Sequence, residues 1–381
     1  MSLFIEVSQF SLCKYGEELS GDSVHVARTP DSTIVAMADG LGSGVKANIL
    51  STLTTRIAVT MLKGGADLSD VVETMGNTLP ICQVRKIAYS TFTIIQILNT
   101  GQAYLAEFDN PPTFILREGS LMMLDFEERE ISGKKIRESE FRVLEGDVIV
   151  VVSDGVIHAG VGGVMNLGWQ WQNVGQYLQE IYREGMSAGA ISERLCRVSQ
   201  HLYGGCPGDD ATGVVLKVRR PRSVTVLVGP PKDKKDDPVV TRELFSEQGK
   251  RVICGGTTSL LVAREIGKTL QVDMKAISPD LPPPGSLDGV DLVTEGIITL
   301  SKVVEIIQNA ENAPRTRRNA AEELAAILLE SDSIKFLVGT AINRAHQNPS
   351  LPPGLALKMQ VVYRLARLLE ERGKQVKLKF Y

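Results

Sequence analysis

The sequence is short of the features that would place it outside the cell or in a membrane. Five cysteines (Cys13, Cys82, Cys196, Cys206 and Cys254) are odd in number, scattered and never spaced C-x-x-C. That excludes a disulfide framework or a cysteine-rich zinc site and fits a reducing cytoplasm. No apolar run approaches the roughly 18 residues needed to span a bilayer; the longest clean ones, such as Val148–Val152, are strand-sized. Glu6 interrupts the first apolar stretch and no basic segment precedes it, so neither an export signal nor a membrane partner is expected. Excess charge is also missing. With 42 Lys+Arg against 45 Asp+Glu and a net charge of −3, a nucleic-acid partner held by bulk positive charge is not expected.

What is present is an ordinary globular composition, 43% apolar and 23% charged, over a length that suits two domains or three. Charge divides unevenly. From Pro221 onward there are 23 basic and 19 acidic side chains, against 19 and 26 in the first 220 residues. The proline-bearing stretch "KVRRPRS" follows a strand-like run and marks a boundary near Arg219–Arg222. Two domains are therefore expected, 1–220 and 221–381, and the acidic front one is the part suited to gathering cations.

In the front segment "STIVAMADG", "YSTFTIIQIL", "AYLAEFD", "TFILREG" and "DVIVVVSDG" read as strands, rich in β-branched residues and ending in turn signals. Val45, Ile49, Leu53, Ile57 and Met61 lie four apart and form one apolar stripe, the pattern of a core helix over Val45–Lys63 closed by Gly64-Gly65. A second helical stretch covers about Trp169–Tyr203. Strands come in runs, which favours an α+β fold with layered sheets over a parallel doubly wound sheet.

The back segment alternates: "SVTVLVGP" strand, "VVTRELFSEQ" helix, "KRVICGG" strand, "SLLVAREIG" helix, "VDLVTEG" strand, "TLSKVVEIIQ" helix. It reads as a small α/β domain, mostly helical from Pro314 to about Arg372, with "QVKLKFY" as a closing strand.

Four aspartate-bearing turns carry the chemistry: "SGDSV" with Asp22, "MADGLGSG" with Asp39, "VVSDGV" with Asp154, and "GDDATGVV" with Asp209 and Asp210. Glycine after aspartate lets a backbone carbonyl approach an ion without steric cost. Carboxylates at rigid strand ends suit oxygen-loving Mg²⁺ or Mn²⁺, and a pair of such ions can lower the pKa of a water and aim it at phosphorus. Asp-Gly is equally a common turn dipeptide, so any one motif alone carries little.

In order, these motifs resemble the metal-dependent protein phosphatases, the PPM superfamily with the phosphatase 2C-type fold. They are most similar to its bacterial branch of stage II sporulation and stress-response phosphatases. "SGDS", "MADGLGSGVKAN", the Asn-Pro-Pro stretch "FDNPPTFILREG", "LEGDVIVVVSDGV" and "GDDATGVVLKV" cover about residues 1–220. The resemblance implies a layered β-sandwich flanked by helices and a site with two Mn²⁺ or Mg²⁺ ions. Asp39 would bridge the ions, the Gly40 carbonyl would complete one of them, Asp154 and Asp209 would hold the second, and Asp22 would act through bound water. Asp210 and Ser153 would support the ligands or the turn, and Thr212 would stabilise the turn.

It also implies a cytoplasmic protein serine/threonine phosphatase in signal transduction, hydrolysing a phosphoserine or phosphothreonine on a regulatory protein, of the anti-sigma-factor antagonist type, through metal-bridged water. The alternative is a non-catalytic scaffold or sensor on the same fold. The eukaryotic members' phosphate-gripping Arg has no counterpart in "CKYGEELSGD", where Lys14 is the candidate. His25, His158, His201 and His346 show no ligand-like spacing. Related phosphatases are switched through helices placed like the one at Val45, with Gly42 and Gly44 as candidate hinges.

Nothing comparable covers 221–381. There Gly255-Gly256-Thr257-Thr258-Ser259, between a strand and a helix, is a candidate anion-binding loop, or a tight turn with a hydroxyl N-cap. Cys254 lacks a His partner and reads as a strand residue. Arg315, Arg317 and Arg318 form a basic cluster on a solvated loop or a partner contact. A regulatory or partner-binding role is the default for this domain.

Overall fold

In the computed structural model, which describes residues 3–78, 90–272, 284–309, 319–341 and 357–381, the chain divides into two compact units, Met1–Arg220 and Pro221–Tyr381. Cys82, His346, Arg315, Arg317 and Arg318 lie outside the described residues.

The first unit runs β1 (Phe4–Leu12), β2 (Asp22–Arg28), β3 (Ser32–Asp39), α1 (Gly44–Lys63), α2 (Leu68–Thr78), β4 (Phe92–Leu98), β5 (Gln102–Phe108), β6 (Phe114–Arg117), β7 (Ser120–Met122), β8 (Glu127–Ile131) and β9 (Lys134–Arg142). It continues with β10 (Val148–Val152), the short α3 (Asp154–Ile157), α4 (Trp171–Ile181), α5 (Ala188–Leu202) and β11 (Ala211–Arg219). Two antiparallel sheets form, ordered β1-β11-β10-β6-β7 and β2-β3-β4-β5-β9-β8.

Period-two alternation explains the layers. Val35, Met37, Ile95, Leu105, Ile149, Val151, Val214 and Leu216 meet between the sheets. The alternate residues Ile34, Ala36 and Ile94 turn outward under Val59 and Leu62 of α1 and Val71, Val72 and Met75 of α2. On the other sheet, Phe114, Val150 and Val215 turn outward under Val174 and Leu178 of α4 and Ile191 and Leu195 of α5. Strands covered on both faces carry unbroken apolar runs, which is why β10 reads Val-Ile-Val-Val-Val and is buried throughout. The α+β layered sandwich that the resemblance implies is what the first unit forms.

The apolar stripe of α1 does not face the core. The helix exists, but Val45, Ile49, Leu53 and Ile57 are 61%, 52%, 53% and 38% exposed, and only Met61 packs partly against the core. The buried face is Gly44, Ala47, Ser51, Thr54, Thr55, Ala58, Val59 and Leu62. Close approach demands small side chains here, since a Cβ on Gly40 would lie 2.1 Å from the Ala47 carbonyl oxygen. The buried hydroxyls are satisfied within the helix: Thr54 donates to Leu50 O at 2.8 Å, Thr55 to Ser51 O at 3.1 Å and Ser51 to Asn48 O at 3.1 Å. Polar residues therefore sit inside without an unpaired-group penalty.

The second unit has β12 (Ser223–Val228), α6 (Asp237–Ser246), β13 (Lys250–Cys254), α7 (Gly256–Ile266), β14 (Gln271–Val272), β15 (Gly285–Leu287), β16 (Val290–Thr294), α8 (Ile297–Asn309), α9 (Ala320–Glu330), β17 (Ser333–Val338), α10 (Leu357–Glu371) and β18 (Gln375–Phe380). One sheet forms, ordered β14-β15-β16-β13-β12-β17-β18. Strands β16, β13, β12, β17 and β18 are parallel neighbours. Helices α6 and α7 cover one face and α8, α9 and α10 the other. The expected helical run beyond Pro314 is interrupted by β17, a central strand. "SIKFLV" is short, apolar and flanked by helices, so periodicity alone did not separate it from them.

Candidate metal centre

The antiparallel register of β2 and β3 sets Asp22 directly opposite Asp39. The chain then turns through Gly40, whose N–H donates to Gly21 O at 3.2 Å. Gly42 (φ +102), ahead of α1, and Gly44 (φ +69), its first residue, take positive-φ conformations. From the opposite sheet, β10 and β11 pair side by side with Val152 opposite Gly213. Asp154, the first residue of α3, and Asp209-Asp210, just before β11, thus stand at adjacent strand ends. A Cβ on Gly155 would lie 2.0 Å from Asp210 O, so only glycine lets α3 sit this close.

The supporting residues hold this junction shut. Ser153 N donates to Thr212 O and Thr212 N donates to Ser153 Oγ, both at 2.9 Å. Thr212 Oγ1 lies 2.9 Å from Ser11 Oγ. Asp210 engages both carboxylate oxygens with main chain, accepting from Lys14 N at 2.9 Å and Gly21 N at 2.8 Å, and so ties the N-terminal segment to β11. Asp209 is more open and stands 4.0 Å from Lys14 Nζ.

Asp22 is the outlier. It is 6% exposed, and both carboxylate oxygens are buried without a hydrogen-bond partner. Burial above all, with repulsion from Asp210 and Asp154, pushes its carboxyl up to about 7, against the pull of the nearby Ser153 and Thr212 hydroxyls. Burial, then repulsion from Asp22, Asp154, Asp209 and Asp210, pushes Asp39 up to about 8. Asp154 is raised by burial and by Asp209, with His158 and the Gly155 N–H opposing. Five carboxylates thus feel one another across the join of the two sheets. Among the described residues, no group of three or more His, Cys, Asp and Glu side chains is placed to hold a metal ion. The donor set is all oxygen, and the two buried Asp22 oxygens make no hydrogen bond although the Ser153 and Thr212 hydroxyls lie near, which fits a hard divalent cation rather than zinc or copper.

Tyr203 escaped the sequence reading. Its hydroxyl donates to Gly155 O at 2.6 Å, and burial followed by Asp209, Asp154, Asp22 and Asp210 raises its pKa. No motif surrounds it; "HLYGG" reads as a helix end. His158 caps α3 and is exposed, and His25 lies inside β2 opposite Ala36, away from the strand ends. In the second unit, Gly255 (φ +122) precedes α7 without a side-chain cap. Ser259 Oγ turns back to Gly256 O at 2.8 Å, and Thr258 Oγ1 is buried and unpartnered among the described residues. The hydroxyl N-cap reading of this turn therefore does not hold. Cys254 is a fully buried strand residue whose thiol burial pushes up to about 12.

The chain is similar in fold to the phosphatase domain of the cell fate determinant SpoIIE from Bacillus subtilis, at 19% identity over 57% of this chain and 94% of that one, with a TM-score of 0.46. It is similar to the RsbU and RsbW domains of a Mycobacterium tuberculosis protein at 16% identity, covering 63% of this chain and 67% of that one, with a TM-score of 0.46. A structure of RsbX in complex with magnesium matches at 20% identity over 56% and 95% of the two chains, with a TM-score of 0.41. No curated protein matches. The family model described as stage II sporulation protein E (SpoIIE) matches residues 29–219, so this chain belongs to the SpoIIE family of phosphatase 2C-type domains.

Proposed function

We propose that the first unit is a metal-dependent protein serine/threonine phosphatase acting on a phosphorylated regulatory protein in the cytoplasm. The observation that carries this reading is Asp22: a buried carboxylate with two unpartnered oxygens, paired in register with Asp39 and repelled by Asp154 and Asp210. Carboxylates pressed together in this way are stabilised by a cation between them.

Asp39, the Gly40 carbonyl, Asp154 and Asp209 would hold two Mn²⁺ or Mg²⁺ ions, and Asp22 would accept from water on one of them. The ions, when bound, supply charge neutralisation and a water of lowered pKa for in-line attack on phosphorus. Asp210 ties the segment before β2 to the start of β11, and Ser153 joins the adjacent ends of β10 and β11. Tyr203 fixes the Gly155 end of α3 and with it Asp154. Lys14, beside Asp209, supplies the positive charge for the incoming phosphate. No side chain serves as nucleophile, so no phosphoenzyme forms. The anti-sigma-factor antagonist type of phosphoprotein is the substrate class that this family membership suggests.

The test is hydrolysis of p-nitrophenyl phosphate and of a phosphoserine peptide with and without Mn²⁺, comparing the wild type with Asp154→Asn. Metal-dependent turnover lost in the variant supports the proposal. Equal, metal-independent rates refute it.

A further inference from the structure

Among its described residues, the second unit carries a buried cation with no anion to meet it. Lys358, on α10, is only 9% exposed. Its Nζ donates to the carbonyls of Gly339 and, at 3.1 Å, Ala341, and no carboxylate pairs with it among the described residues. Burial holds this ammonium below the usual lysine range. A buried ammonium served only by neutral carbonyls lacks the counter-charge that such groups ordinarily require.

Its position is specific. Numbering the parallel strands by their order in the chain, the sheet runs 3-2-1-4-5, with β12 first and β17 fourth. In such doubly wound sheets the order reverses between strands 1 and 4, and ligands bind outside the carboxyl ends there. That reversal is where Lys358 lies. A Cβ on Gly229, just after β12, would come 2.6 Å from its Nζ, and its carbonyl partners follow β17 directly. The two loops are laced together by Gly339 N to Val228 O at 3.0 Å and Ala341 N to Pro230 O at 3.3 Å.

The same two loops border a cavity of about 750 Å³ lined by Lys232, Asp233, Lys234, Asp236, Thr340 and Tyr381. That volume is in the range of small-molecule sites. Asp233 already accepts from Lys235 N at 3.0 Å, while Lys232 and Lys234 make no ion pair among the described residues.

We infer that the carboxyl edge of this sheet, between β12 and β17, binds a small phosphate-bearing molecule of nucleotide size, with Lys232, Lys234 and Lys358 supplying the charge. Phosphate chemistry is favoured over a neutral ligand because two lysines line the cavity and Lys358, outside the lining, holds the Gly339 and Ala341 carbonyls on either side of the lining residue Thr340, at a strand-order reversal. The inference does not rest on the activity proposed for the first unit.

Calorimetric titration of the full chain in EDTA with ATP, ADP, pyrophosphate, inorganic phosphate and citrate tests it. Saturable binding of a phosphate compound is expected, weakened at least about tenfold by Lys358→Met and by the exposed pair Lys232→Ala/Lys234→Ala. Preference for ATP or ADP over pyrophosphate identifies a nucleotide, and the reverse identifies a simple phosphate. Absence of saturable binding, binding of citrate alone, or unchanged affinity in either variant with an intact melting curve overturns the inference. The exposed pair keeps the test decisive if Lys358→Met does not fold.

Discussion

Asp22 and Asp39 concentrate the site's electrostatics. Both carboxyls are raised from 3.8, to about 7 and about 8, so the fold favours their protonated forms. The stability this lends is complete below the unfolded value and is lost as pH climbs through the folded values. In EDTA the melting temperature is therefore expected to fall between about pH 5 and pH 8.5, with Asp22→Asn flattening the slope. At the upper pH, Mn²⁺ should restore it in the wild type more than in the variant; thermal melts across this range check both. Asp154→Asn should lower the metal-dependent rate by about two orders of magnitude, the scale of one preorganised contact at a reacting centre. Lys14→Ala should raise KM for a phosphopeptide more than it lowers kcat, as loss of a binding charge does.

At the scale of elements, α1 is the instructive case. Its exposed aliphatics and its close, small-residue contact with Gly40 lie on opposite faces. Ile49→Ser and Leu53→Ser should leave urea stability nearly unchanged, within about 0.5 kcal/mol. Leu62→Ala, on the buried face, should cost about 2–5 kcal/mol. The reverse ranking would place the helix the other way round. Gly42 has no neighbour to strike, yet its φ of +102 disfavours any side chain. Gly42→Val should therefore strain the turn that presents Asp39 and Gly40 and weaken Mn²⁺ affinity, measured by calorimetry. Unchanged affinity would separate the turn from the metal centre.

Across the whole molecule, the legible parts were those where a single physical demand fixed the residues. Strands covered on both sides wrote themselves as apolar runs such as Val148–Val152. The aspartate turns of the first unit stood out because glycine must follow where backbone passes close, as Gly40 and Gly155 show. Where two demands competed, the pattern misled. On α1, tight packing outranked hydrophobicity, and β17 hid among helices because six apolar-rich residues satisfy either period. Tyr203 and Lys358 left no trace in their neighbours, since their roles arise from elements distant in the chain. The central claim is that carboxylates from both sheets of the first unit share divalent cations. Anomalous scattering from Mn²⁺-soaked crystals tests it most directly. The account predicts strong peaks within coordination distance of Asp39, Asp154 and Asp209; saturating Mn²⁺ that leaves no peak among them would contradict it.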